Sequence, residues 1–171
     1  TSTSMAEKSQ PDIASELWTN GLGAFWQDAL DRGVVKTGGL SMNGGGEGFF
    51  LPTSMVEANP ELATIEGVLA NPQLFPHPEG KDMGAFYGCP AGWNCQITST
   101  NLFSAFGFGE AGFEIIDPGS GAALGASAAG AHDKEQGWIG YYWGPTALLG
   151  LRDFTRVSVG DDEQWNADKW A

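Results

Sequence analysis

The sequence is short of positive charge, of histidine and of long apolar runs. Its 171 residues hold eight Lys and Arg against 21 Asp and Glu, a formal net charge of -13. A nucleic-acid surface needs clustered positive charge, so that class of partner is disfavoured. No stretch approaches the roughly 18 consecutive apolar residues of a membrane span. The two histidines, His77 and His132, stand in no recognisable catalytic or metal-binding pattern, so we predict neither an enzyme nor a bound metal or cofactor.

What remains is the composition of one folded domain, 42% hydrophobic and 17% charged. Short apolar segments alternate with helical ones, which predicts an α/β fold with a mostly parallel sheet. The predicted strands are residues 34–40, 49–51, 113–116, 138–143 and 154–159. The predicted helices are residues 23–32, 54–58, 96–106, 121–131 and 146–150, with a further one capped by Thr64 and an N-cap at Ser120.

Only two cysteines are present, in Gly88-Cys-Pro-Ala-Gly-Trp-Asn-Cys95. Their spacing is too wide for a C-x-x-C redox or zinc pair, and the chain has no second pair of ligands. A disulfide between Cys89 and Cys95 across the Pro-Gly turn is favoured, which indicates a compartment outside the cytoplasm. Such a bond would rigidify the loop that carries Trp93.

The seven tryptophans are the strongest functional signal. Trp93 lies in the cysteine loop, and Trp143 ends a predicted strand, where ligands of α/β sheets bind. A quaternary ammonium cannot donate a hydrogen bond, so proteins hold it with aromatic faces. On spacing alone, two interpretations stay open: an aromatic cage or ordinary core packing. Trp18 is a third candidate. The remaining ones are expected in the core or the tail: Trp26, Trp138, Trp165 and Trp170.

Five segments resemble the glycine betaine/choline-type (OpuAC-like) substrate-binding proteins of ABC importers, and the resemblance covers about residues 11–157. They are Pro60-Glu-Leu62, Asn71-Pro-Gln-Leu-Phe-Pro76, Phe86-Tyr-Gly-Cys-Pro-Ala-Gly-Trp-Asn-Cys95, Asp117-Pro-Gly-Ser-Gly-Ala-Ala123 and Gly140-Tyr-Tyr-Trp-Gly-Pro145. The resemblance implies a lobe of the type II periplasmic-binding-protein fold, with a mostly parallel central sheet flanked by helices. It favours the cage interpretation over core packing.

The resemblance also implies which residues bind the ligand. Trp93, Trp143 and Trp18 would surround the methylated nitrogen, and Glu47 would lie near the cation. The backbone N–H groups of Asn94 and Cys95 would hold the acid end of a zwitterion such as glycine betaine. Some relatives supply a histidine to the ligand carboxylate, and this sequence has no clear counterpart of that histidine near Trp18. Choline and trimethylamine N-oxide, which lack a carboxylate, are therefore also considered as ligands.

Family members are longer and have two lobes, so the resemblance implies that this chain corresponds to the second lobe and its hinge segments. Residues 1–12 would be a linker or the end of a first lobe, residues 13–157 the ligand-binding lobe, and residues 158–171 the start of the return. Hinge strands are expected near residues 13–18 and 154–159. The expected partners are a small methylated amine and the membrane permease of an ABC importer, in the periplasm or another extracytoplasmic space. An enzyme acting on methylated amines and a self-associating lobe are the alternatives.

Overall fold

The structure, a computed structural model, describes residues 2–41 and 44–160, apart from the side chains of residues 2, 3, 20 and 21. The described residues form two compact units, one within residues 2–41 and the other within residues 44–160. The first unit contains helix α1 (Ser2–Lys8), a 3₁₀ turn (Thr19–Leu22) and helix α2 (Gly23–Asp31). Helix α1 lies in the segment expected to be a linker, where residues 5–8 are good helix formers.

The second unit alternates strands with helices, as predicted. Its strands are β1 (Gly46–Pro52), β2 (Gly84–Tyr87), β3 (Phe113–Ile116), β4 (Gly140–Gly144) and β5 (Phe154–Arg156). Its helices are α3 (Thr53–Ala58), α4 (Ile65–Leu69), α5 (Asn94–Ala105), α6 (Gly121–Asp133) and α7 (Ala147–Leu151), with 3₁₀ turns at Pro60–Ala63 and Pro72–Leu74. Thr64 and Ser120 cap α4 and α6, because each side chain accepts the backbone N–H three residues on.

The five strands form one sheet in the order β3-β2-β4-β1-β5. β2 pairs in parallel with β3 and β4, whereas β1 pairs antiparallel with β4 and β5. Four strands therefore point one way, and β1 points the other way. The fold class predicted from the sequence is confirmed, and the reversed direction of β1 is added by the structure.

Helices cover both faces of the sheet and create two cores. Alternate residues of β1 point to opposite faces, so Phe49 belongs to one core and Phe50 to the other. The first core receives side chains from α4 and α5, and the second receives Leu124 and Ala128 from α6. In the first core, the rings of Phe49 and Phe86 meet edge to face, 4.7 Å apart.

Two predicted strands are absent from the structure, and a third begins later than predicted. Residues 34–40 form no strand, so that prediction is wrong: the apolar run stops at Val35, where the polar Lys36 follows, and a glycine pair comes next, with Gly39 at a φ of 117°. The hinge strand expected near residues 13–18 is likewise absent there, and Ile13 is exposed. Strand β4 begins at Gly140, two residues later than predicted.

Among the described residues, no helix has the length and apolar character needed to cross a bilayer.

Candidate ligand-binding site

The carboxyl ends of three parallel strands meet at one edge of the sheet. Strand β2 leads from there into the cysteine loop and β3 into the turn before α6, while Trp143 is the last residue but one of β4. β1 runs the other way and therefore begins at this edge, with Glu47 as the register partner of Trp143. Ligands of open α/β sheets bind at this edge, beyond the carboxyl ends of the strands.

The cysteine loop is closed by the predicted disulfide, Cys89–Cys95, which the structure confirms. The backbone N–H of Cys89 also donates to the hydroxyl of Ser99, and that of Gly92 donates to the side-chain oxygen of Gln96. Both acceptors belong to α5, so the loop is attached to this helix by a covalent bond and by two hydrogen bonds. Trp93 lies between the two cysteines and occupies the N-cap position of α5, so the disulfide and these hydrogen bonds fix the backbone on both sides of it.

The indoles of Trp93 and Trp143 pack against each other. Their ring centroids lie 5.4 Å apart at an interplanar angle of 69°, an edge-to-face arrangement. Trp93 is 44% exposed, and Trp143 is half-buried against the second core. The pair therefore combines a fixed geometry with aromatic surface that solvent, or a ligand, reaches.

Two tyrosines of β4 support Trp143. The ring of Tyr142 stacks on its indole at 4.7 Å and that of Tyr141 at 6.1 Å, both within 30° of parallel. The Tyr141 hydroxyl donates a 2.7 Å hydrogen bond to the carboxylate of Glu47. Burial raises the pKa of the Tyr142 phenol, and a hydrogen bond with Thr146 opposes that rise. A carboxylate thus lies at the cross-strand position next to a stack of aromatic rings.

The helix α5 begins immediately after Trp93. Asn94 and Cys95 are its first two residues, and the helix is 12 residues long. The N-terminal end of a helix carries partial positive charge and points backbone N–H groups outward, which favours an anion. The two residues predicted to hold a ligand carboxylate therefore lie in the first turn of a helix next to one indole of the pair.

A profile of the family described as the substrate-binding domain of ABC-type glycine betaine transport systems matches residues 2–170. The chain belongs to this family. The family consists of substrate-binding domains of transport systems, which agrees with the coarse expectation of a substrate-binding domain. No match was found among curated protein sequences.

Solved structures of the same type share the fold. The chain is similar to a choline-binding protein of an ABC transporter in complex with choline (TM-score 0.58, 18% identity, 83% of this chain and 46% of that one). It is also similar to lactococcal OpuAC in its closed conformation with glycine betaine (TM-score 0.56, 18% identity, 81% of this chain and 47% of that one). A third similar structure is the glycine/betaine/L-proline-binding protein ProX of Borrelia burgdorferi (TM-score 0.54, 17% identity, 67% of this chain and 38% of that one). The chain spans less than half the length of these proteins.

Trp18, the third tryptophan predicted for the cage, belongs to the first unit. Its indole N–H donates to the carboxylate of Glu16 at 2.8 Å, and 44% of the residue is exposed. The membership of Trp18 in the site stays a prediction. Of the tryptophans assigned to the core or the tail, Trp138 is buried and donates to the hydroxyl of Ser127, while Trp165 and Trp170 lie outside the described residues.

The two histidines lie in other polar clusters. The buried His77 accepts the N–H of Glu79 and has Glu114 3.4 Å from its second ring nitrogen. His132 faces Asp133 and the ring of Phe154. Within residues 2–41 and 44–160, no group of three or more His, Cys, Asp or Glu side chains is arranged to hold a metal ion.

Two residues of this site were not identified from the sequence alone. Tyr141 stands two positions before Trp143, and the two-residue period of a strand puts both on one face of β4. That signal was available in the Tyr-Tyr-Trp-Gly-Pro segment. Gly121 opens α6, and its α-carbon faces both indoles. Nothing in the sequence around Gly121 indicates that contact, because the partners come from a distant loop and strand.

Proposed function

We propose that this chain is the ligand-binding lobe of a solute-binding protein that delivers glycine betaine, or a related quaternary or methylated amine, to an ABC importer. One observation carries the proposal. At the carboxyl edge of the sheet, the indoles of Trp93 and Trp143 meet 5.4 Å apart, with Glu47 opposite Trp143 across the strand pair. This combination suits a cation that has no hydrogen-bond donor.

The chemistry of the ligand explains why aromatic rings are needed. A trimethylammonium group spreads its charge over methyl groups and makes no conventional hydrogen bonds, so it gains most from aromatic faces and from a nearby carboxylate. Each cation–π contact contributes roughly 0.5–2 kcal/mol, and more when water is excluded. Trp93 and Trp143 supply two such faces, and Glu47 supplies the opposite charge.

The acid end of a zwitterion needs donors on the other side of the cation. The first turn of α5, at Asn94 and Cys95, offers backbone N–H groups and the positive end of the helix dipole. Glycine betaine would then extend from the indole pair to the start of α5. Choline and trimethylamine N-oxide lack the carboxylate, so they would use this second contact less.

A second lobe completes the site in this proposal. The chain covers between 38% and 47% of the length of the solved relatives, which supports a partner lobe that residues 13–157 would close upon. Trp18 would contribute a third face to the cage. Closure about a hinge would exclude water and strengthen each cation–π contact.

The closed form would then dock on the membrane permease of the importer, outside the cytoplasm. The ligand leaves unchanged, because the proposed site binds and releases without a chemical step. The disulfide Cys89–Cys95 supports an extracytoplasmic location, since such bonds persist in oxidising compartments.

The test is calorimetric titration with glycine betaine, choline, trimethylamine N-oxide and dimethylsulfoniopropionate. It is done on this chain and on the complete two-lobed protein that contains it. We expect saturable binding of at least one of the four ligands, and tighter binding by the complete protein. Trp143→Ala should weaken that binding at least about tenfold, since it removes one cation–π face.

Trp138→Phe is the matched control. Trp138 is a buried indole of the second core, only 2% exposed, so its replacement perturbs packing without removing a face of the pair. Its affinity should stay close to that of the wild type. If the complete protein binds none of the four ligands, or if Trp143→Ala binds as tightly as Trp138→Phe, the aromatic-cage function is wrong.

A further inference from the structure

The first residue of α6 lies against the aromatic pair. A β-carbon built on Gly121 would lie 2.7 Å from Cη2 and 3.1 Å from Cζ2 of Trp93, and 3.7 Å from Cη2 of Trp143. Non-bonded carbon atoms normally stay about 3.5–4.0 Å apart. Any side chain at this position would therefore push the Trp93 indole away.

The backbone does not require glycine at this position. Gly119, two residues earlier, has a φ of 73°, which favours glycine for conformational reasons, whereas Gly121 has no such positive φ and is the first residue of the helix. Alanine is a better helix former than glycine. The missing side chain at position 121 is therefore explained by space, and the indoles of Trp93 and Trp143 occupy that space.

A second glycine of α6 continues the same pattern. A β-carbon on Gly125, one turn further along, would lie 3.0 Å from the hydroxyl of Tyr142, which stacks on Trp143. Gly130, near the other end of the helix, has no atom within 4 Å of that position. The close approach is therefore limited to the end of α6 that faces the aromatic rings.

We propose that Gly121 is a positioning residue for the indole pair: its lack of a side chain lets Trp93 rest on α6 at the angle and distance at which it meets Trp143. Gly121 thereby sets the width of the aromatic surface and the size of cation that it fits. The identity of the ligand as a methylated amine rests on the proposed function, whereas the geometry of the Trp93–Trp143 pair does not.

The test compares Gly121→Ala with Gly130→Ala, two equal substitutions in one helix. In the complete protein, we expect Gly121→Ala to weaken glycine betaine binding about tenfold, the effect of misplacing one cation–π face. The ratio of tetraethylammonium to tetramethylammonium affinity should change with it. Gly130→Ala should leave both affinities within about twofold, because open space surrounds that position.

A double-mutant cycle separates positioning from a general effect on folding. Trp93→Phe removes the outer ring atoms that a β-carbon at position 121 would meet. In that background, adding Gly121→Ala should weaken glycine betaine binding by less than about twofold. A full tenfold loss there, or equal affinities of Gly121→Ala and the wild type, would overturn the proposal.

A readout without ligand keeps this proposal separate from the proposed function. Near-ultraviolet circular dichroism of the ligand-free chain reports the mutual orientation of the indoles. It should change in Gly121→Ala and stay unchanged in Gly130→Ala. If the wild type binds no methylated amine but this spectral difference appears, the function is wrong and the positioning role of Gly121 stands. If the two spectra are the same, the positioning role is wrong.

Discussion

Tyr141 and Glu47 are joined by a 2.7 Å hydrogen bond across two antiparallel strands, although they lie 94 positions apart in the sequence. Tyr141 is only 5% exposed, so the donor is fixed by the core, while Glu47 is half-buried. The buried hydroxyl thus restricts where the carboxylate lies. In the proposed site, this carboxylate faces the ligand cation from the strand next to Trp143.

Removal of that hydroxyl should weaken cation binding without unfolding the protein. Tyr141→Phe keeps the ring and its stacking but frees the Glu47 carboxylate, so we expect choline affinity to fall by roughly three- to tenfold in calorimetric titration. In a Glu47→Gln background, the same change should have little further effect, because the charge it positions is gone.

The neighbouring tyrosine is the control for this prediction. Tyr142→Phe removes a hydroxyl that bonds with Thr146, not with Glu47. Its choline affinity should stay within about twofold of the wild type. Equal losses for the two tyrosine variants, or additive losses for Tyr141→Phe and Glu47→Gln, would show that Tyr141 acts on folding alone.

Opening the disulfide should lower both stability and affinity. Cys89 and Cys95 close a short loop, with a sequence separation of 6, and the chain-entropy estimate gives about 2 kcal/mol for a loop of this size. The free Trp93 loop would also lose its fixed position on α5. We expect Cys89→Ser/Cys95→Ser to reduce the free energy of unfolding by about that amount, measured by urea denaturation.

The affinity arm of this experiment distinguishes the two effects. If the loop only contributes to stability, the double serine variant binds glycine betaine as tightly as the wild type below its unfolding temperature. If the disulfide holds Trp93 in place, the affinity falls under the same conditions, and reducing agent has the same effect on the wild type but none on the variant. The second outcome is expected, since Trp93 lies between the two cysteines.

Local chemistry explains which parts of the fold could be predicted from the sequence. The caps at Thr64 and Ser120 were correct because each side chain bonds a backbone group three residues away. Strand β2 was missed because it has only four residues, two of them small, with no alternation to detect. The reversed direction of β1 depends on which distant strands it pairs with, and no local pattern encodes that.

The site shows the same limit. Trp93 and Trp143 were singled out by their positions in a cysteine loop and at a strand end, and the resemblance favoured a cage over core packing. Their contact distance, the Tyr141–Glu47 bond and the space at Gly121 arise from the cysteine loop, β1, β4 and α6, four segments that meet only in the folded domain. Trp18 was a third candidate from the sequence that the resemblance also named, and its role stays a prediction.

The aromatic first core should account for much of the stability of the second unit. Phe86 is fully buried, and its ring contacts those of Phe49, Phe103 and Phe108 at centroid distances of 4.7–5.6 Å. Phe86→Ala should lower the free energy of unfolding by about 3–5 kcal/mol. Leu151→Ala, at a residue that is 78% exposed, should change it by less than about 0.5 kcal/mol. Similar losses for both variants in urea denaturation would contradict this assignment of the core.

The ion pair between Asp133 and Arg152 should make stability depend on acid pH. Two hydrogen bonds from Arg152, at 2.8 and 2.6 Å, hold the pKa of the Asp133 carboxyl down from 3.8 to about 2, and His132 adds to the shift. Because the folded state favours the charged form, the stabilisation is present above the unfolded value of 3.8 and is lost as the pH falls towards 2.

Asp133→Asn should remove that part of the acid transition. Urea denaturation between pH 5 and pH 2 measures it: the stability difference between wild type and variant should be constant above about pH 4 and should shrink towards pH 2. Leu151→Ala, at an exposed residue without a titrating group, is the control and should leave the wild-type slope unchanged. A difference that grows as the pH falls would contradict the pair, because a carboxyl with a lowered pKa stabilises the folded protein only while it stays charged.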